Sequence, residues 1–144
     1  MPHADVVPMN ALSLSAAQRV AEAAISAGRS KDIDACIAVC DPSSAAIVTI
    51  RMDGAPRLSA EVALNKAYSV AVFNGMPTDK WWPLLCDDPA LVHGFTHTDR
   101  LVVFAGGVPV LVGGEVVGAV GVSGGSSDED RQIAQAGADA VGTA

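Results

Sequence analysis

The segment from Phe104 to Gly125, FAGGVPVLVGGEVVGAVGVSGG, constrains the fold more than any other part of the chain. Val108–Val112 and Glu115–Ser123 are apolar runs separated only by Gly113 and Gly114. A two-residue glycine loop permits the primed turns that join antiparallel strands. Pro109 has no N–H to give to a ladder, so its strand should leave that position unpaired or lie near a sheet edge. Gly118 and Gly121 stand inside the longer strand, which places a helix or a ligand close against the backbone. Ser126-Ser-Asp-Glu129 is a capping box that starts a final helix, with Ile133, Gly137, Ala140 and Val141 on its inner face.

The remaining strands follow from shorter signals. Ala35–Cys40 is a continuous apolar run and reads as a buried central strand. Asp41-Pro-Ser-Ser44 has turn chemistry, so Ala45–Arg51 returns as a second strand. Leu101–Phe104 reads as a third. A first helix opens at Ser15-Ala-Ala-Gln18, a capping-box pattern, and Gly28 closes it. A second helix is capped by Ser59 and ends at Asn74-Gly75. Its stripe of Ala60, Ala63, Leu64, Ala67, Val70 and Ala71 is small enough for close approach to a sheet. Thr78–Cys86 reads as a short helix, and Asp87–Asp99 as an irregular, lid-like segment. The expected architecture is α+β: a single five-stranded antiparallel sheet with covering helices. Residues 1–11 are expected to form a flexible N-terminal arm, and residues 12–144 a single domain.

Composition narrows the partners. Half of the 144 residues are hydrophobic but only 4% are aromatic, so Ala, Val, Leu and Ile must build the core. A formal charge of −7 argues against nucleic acid or an anionic membrane as partner. No basic leader precedes an apolar stretch at the start, and no apolar run reaches the ~20 residues that span a bilayer. Three cysteines, Cys36, Cys40 and Cys86, make an odd count. Reduced thiols and a cytoplasmic location are the expectation. Cys36 and Cys40 would lie about 13 Å apart along a strand, too far to bond.

Candidate functional groups fall between Arg51 and Gly107. His93 and His97 stand four apart in the irregular segment, suited to an axial haem ligand, a metal ligand or a general acid/base. Asp99 could orient the His97 imidazole. Lys66, at the border of the helical stripe, could present its ammonium to a carboxylate. Arg51 could clamp an anion beside Asp53, because a guanidinium fork matches a carboxylate. Gly106 and Gly107 could bare backbone N–H groups. Gly124–Ser127 also enters a helix N-terminus, but Asp128, Glu129 and Asp130 already fill that turn, which favours plain capping. Trp81 and Trp82 suit core, oligomer contact or stacking on a planar ligand. No nucleophile elbow, P-loop or metal-ligand signature is present, and no metal site is assigned. The expectation is a cleft where His97, Lys66 and Arg51 converge on a carboxylate-bearing ligand.

Several motifs carry a resemblance. Leu12-Ser-Leu14, Arg51-Met-Asp-Gly-Ala-Pro56, Asn65-Lys-Ala67, Phe104-Ala-Gly-Gly-Val-Pro109 and Gly114–Gly125 resemble the GlcG/HbpS-like family. That family is described as haem-degrading or haem-binding, and includes the C-terminal domain of PduO-type corrinoid adenosyltransferases. The resemblance covers roughly residues 12 to 142. It implies a profilin-like or PAS-like fold with a five-stranded antiparallel sheet, and a homo-oligomer built from dimers. It also implies haem as the cofactor, if there is one. Members often carry Asp-x-Gly-Gly after the first strand. This chain has Asp41-Pro-Ser-Ser44, so a ligand contact through that turn is not carried over. Three functions stay open: a small-ligand-binding protein, an enzyme acting on a hydroxy or keto acid through Lys66 and His97, and a structural or regulatory oligomer without ligand.

Overall fold

The computed structural model describes residues 3–142; Met1 and Pro2, the start of the expected arm, lie outside the described residues, as do 143 and 144. The elements in chain order are α1 (Leu14–Ser30), β1 (Cys36–Cys40), β2 (Ala46–Arg51), α2 (Leu58–Val72), α3 (Trp81–Leu85), α4 (Pro89–Thr96), β3 (Gly107–Val112), β4 (Glu115–Ser123) and α5 (Ser127–Ala138). A short 3-10 turn, Thr78–Lys80, leads into α3.

The sheet is antiparallel throughout, in the order β2-β1-β4-β3. Gly113 and Gly114 turn the β3–β4 hairpin with φ of +58° and +80°, the left-handed values a primed turn demands. Pro109 lies in β3, an edge strand, as its missing N–H requires. β1 is buried along its whole length, and its side chains divide between two layers. Ile37 and Val39 face α1 and α5, where Val20, Val120, Val122 and Ile133 complete the larger core. Cys36, Ala38 and Cys40 face α2, among Ala63, Ala67, Val70 and Ala119.

Residue size explains the second layer. A Cβ added to Gly121 would strike the carbonyl of Ala63 and the amide of Ala67, so the α2 backbone rests directly on β4. Gly118 is occupied in the same sense by Leu12, whose amide bonds to Val117 O at 2.9 Å and ties the N-terminal segment to β4.

The sheet has four strands rather than the expected five. Leu101–Phe104 is apolar but joins no ladder. The amide of Val102 is taken by the Ser69 hydroxyl of α2 at 2.9 Å, and that hydroxyl gives its own proton chiefly to Asn65 O at 2.7 Å, with Arg100 O at 3.2 Å. The segment therefore satisfies its backbone against a helix side chain. The expected lid is also more regular than its composition suggests. Asp88 accepts from the amides of Ala90 and Leu91, and Pro89 sits in the first turn, so α4 forms.

Helix ends differ from expectation: α1 runs past Gly28 to Ser30, and α5 stops at Ala138, short of Ala140 and Val141. Ser13 rather than Ser15 caps α1. Ser59 is buried inside α2, which starts at Leu58 without a side-chain cap. The box between Ser126 and Glu129 forms as expected.

Candidate functional site

Lys66 is the most deeply committed of the expected site residues. It points from α2 under the end of β4, where its ammonium donates to Val122 O at 2.8 Å and to the Asp130 carboxylate at 3.0 Å. The two side chains are 1% and 5% exposed. The Phe104 ring covers the ammonium at 5.1 Å. Asp130 also accepts from Gly125 N at 2.8 Å. Burial pulls the Lys66 pKa down, and its attraction to Asp130 opposes that. Burial likewise pushes the Asp130 carboxyl up, against the Gly125 N–H and Lys66. The ammonium thus holds α2 to α5 around the sheet and is not open to a ligand. Gly106 belongs to this cluster: its φ is +125°, and a Cβ there would meet Lys66 Nζ. Gly107 gives its amide to the buried Thr78 hydroxyl at 2.9 Å, so that N–H is not bare.

His97 lies elsewhere. It is the C-cap of α4 and lines an open basin of about 390 Å³ with Asn65, Phe95, Thr96, Thr98, Asp99, Arg100 and Leu101. No hydrogen bond or ion pair joins Asp99 to the His97 ring among the described residues. His93, one helical turn earlier, is exposed on α4. Beside the basin is an apolar slot of about 190 Å³ walled by Trp82, Leu85, Val92 and Val103. Phe95, Thr96 and Leu101 line both, so the slot and the basin are neighbours. Of the two tryptophans, Trp81 is core, packed on Phe73 at 4.5 Å and Phe95 at 4.9 Å between ring centroids. Trp82 is exposed and faces the slot.

Arg51 and Asp53 are at the far end of β2. They line a depression of about 260 Å³ with Arg29, Asp34 and Met52. The convergent cleft expected for His97, Lys66 and Arg51 is therefore not formed. Arg51 and His97 open onto separate depressions, and Lys66 is enclosed. Arg51 ends an edge strand, while His97 caps α4 in a basin that it shares with Asn65 of α2.

Three residues of this region have no counterpart among the sequence candidates: Arg100, Asn65 and Tyr68. The Arg100 guanidinium carbon lies over the Tyr68 ring, 3.9 Å from the ring centre, and the Arg100 Nε donates to Asn65 Oδ1 at 3.0 Å. Its backbone φ is +64°, a left-handed value costing a non-glycine residue about 1–2 kcal/mol. The available signal was polar spacing: Asn65 and Ser69 interrupt a stripe of alanines on a helix that packs on a sheet.

Comparison with known proteins follows from this geometry. The chain is 33% identical over 129 residues to an uncharacterised 15.0 kDa protein of the dhaT–dhaS intergenic region of Citrobacter freundii, covering 86% of this chain and 87% of that one. Its fold matches a double mutant of Streptomyces reticuli HbpS with a TM-score of 0.85 at 32% identity, over 99% and 94% of the two chains. It matches a PduOC–haem complex with a TM-score of 0.83 at 27% identity, over 91% and 95%. The family model for the haem degrading protein HbpS-like family spans residues 12–139, which takes in every element from α1 to α5, and the chain belongs to that family.

Proposed function

We propose that this chain is a small-ligand-binding protein whose ligand is haem or a closely similar tetrapyrrole, held where the apolar slot meets the His97 basin. The observation that carries the reading is that junction. Trp82, Leu85, Val92 and Val103 offer an apolar wall, and His97 offers an exposed imidazole a few residues away. The ring of His97 makes no hydrogen bond among the described residues, so its nitrogens are available. Haem, when bound, supplies an iron that accepts imidazole and an apolar ring bearing carboxylates at one edge. The donor set fits: one imidazole, aromatic and aliphatic walls, and a guanidinium. The solved haem complex of a similar chain supports the same class of ligand.

The free cysteines support a reducing, cytoplasmic setting. Exposed Val72, Phe73 and Leu84 support self-association into a homo-oligomer. Among the described residues, no helix is long and apolar enough to cross a membrane. The acid/base alternative through Lys66 has less support, because the ammonium is already bonded to Asp130 and Val122 O.

Titration of the purified protein with hemin tests the reading. A Soret band shifted from that of free hemin is expected, with the band moved or weakened in His97→Ala. A Soret band unchanged from free hemin would overturn the proposal.

A further inference from the structure

We propose that Arg100 is the carboxylate anchor of this site and that Asn65, Tyr68 and Ser69 position it; the inference rests on the haem reading above.

A surface arginine is ordinarily free to sample many rotamers. Arg100 is held in three ways. Its Nε is fixed by Asn65 Oδ1 at 3.0 Å. Its guanidinium carbon lies over the Tyr68 ring, 3.9 Å from the ring centre. Its backbone stands at a φ of +64° beside the Ser69 hydroxyl, which gives its proton chiefly to Asn65 O at 2.7 Å, lies 3.2 Å from the Arg100 carbonyl and accepts from the next amide but one. Asn65, Tyr68 and Ser69 stand at i, i+3 and i+4 on α2, so one face of a packed helix sets the whole arrangement. Strained backbone that the surroundings hold in place is found most often at ligand clamps and active sites.

The part of the guanidinium left over is the part that binds anions. Among the described residues no carboxylate comes within 4 Å of Arg100, and only Nε has a protein acceptor. Stacking and the Nε bond leave the terminal N–H groups for a planar, two-oxygen partner. Arg100 lines the basin, and the next residue, Leu101, lines both basin and slot. A ligand with an apolar body in the slot would therefore carry its carboxylate toward Arg100. Asp99 also lines the basin and opposes an anion there. Asp99→Asn is expected to tighten binding of an acid.

Soret titration of the full chain with hemin and with hemin dimethyl ester tests the anchor. The ester keeps the iron and ring but blocks both carboxylates. Wild type is expected to prefer the free acid by about tenfold or more, the strength of a charge-assisted, two-bond contact. Arg100→Ala should lose that preference while binding the ester as wild type does. Arg100→Asn removes the guanidinium yet tolerates the left-handed backbone, so it reports the same loss if the alanine variant misfolds. Equal binding of acid and ester by wild type, or an acid preference that survives in Arg100→Asn, overturns the anchor and leaves the haem reading standing. Failure of wild type to bind hemin at all overturns both.

Discussion

The ammonium of Lys66 and the carboxylate of Asp130 meet at 3.0 Å in a site that solvent scarcely reaches. Lys66 comes from the helix on one face of the sheet and Asp130 from the first turn of the helix on the other. The contact passes the end of β4, where Val122 O takes a second ammonium proton. A buried pair of this kind gives little net stability over an apolar replacement, but losing one member is costly.

Lys66→Met should therefore destabilise the fold by about 3–5 kcal/mol near neutral pH, the cost of leaving a buried charge unpaired. The variant should also acquire a pH dependence of known sign. Burial already raises the Asp130 carboxyl above its ordinary 3.8, and Lys66 is one of the influences restraining that rise. Without Lys66 the folded-state value climbs further. The folded chain then holds a proton that the unfolded chain has released, so stability is greatest below 3.8 and falls as pH rises through the folded value. Urea denaturation at several pH values measures this. Lys66→Met with Asp130→Asn should flatten the profile and recover part of the loss.

Two glycines should respond oppositely to alanine. At Gly121 the new methyl would strike the α2 backbone at Ala63 and Ala67. A strand and a helix must then separate, at a cost of about 1–3 kcal/mol. At Gly94, inside α4, a Cβ meets nothing within 4 Å. Alanine there should stabilise by about 0.4–1 kcal/mol through helix propensity and a less free unfolded chain. Thermal midpoints of the two variants check both signs.

Ser69→Ala should couple stability to ligand binding. It leaves the buried Val102 amide, two residues past Arg100, without its acceptor. An unsatisfied buried N–H costs about 1–3 kcal/mol. Hemin affinity should fall in the same variant, because the left-handed turn that aims Arg100 loses its restraint. Denaturation together with Soret titration separates the two effects.

Trp81→Phe should be nearly neutral. The indole nitrogen of Trp81 is buried and has no hydrogen-bond partner among the described residues. Phenylalanine removes that unpaired N–H while keeping a ring between Phe73 and Phe95. The change should stay within about 1 kcal/mol, against about 3–5 kcal/mol for Trp81→Ala, which empties the space. Chemical denaturation of the pair checks the contrast.

Patterns of short range carried most of the architecture. The Gly-Gly turn, the apolar run of β1, the stripe of small residues on α2 and the box at Ser126 each specify local backbone, and each forms. Local pattern misled where a distant side chain took over the backbone. Leu101–Phe104 has strand composition, yet Ser69 claims the Val102 amide and the sheet stops at four strands. The site shows the same division. The segment that holds His93 and His97 stood out by composition, but the basin that His97 shares with Asn65 and Arg100 did not. Lys66 was visible as a charge on an apolar helix face, but its partner Asp130 looked like an ordinary first-turn carboxylate.

The amino-acid sequence by itself determined α1, α2, α5 and the four strands of the sheet to within a few residues, because turn chemistry and periodicity act over short range. Only the tertiary structure decided which charges meet. Lys66 and Asp130 are brought together by helices on opposite faces of the sheet, while Arg51 and His97 open onto separate depressions. Arg100 acquires its posture from Asn65, Tyr68 and Ser69, residues more than thirty positions earlier in the chain. Such contacts depend on how the layers stack, which no local pattern encodes.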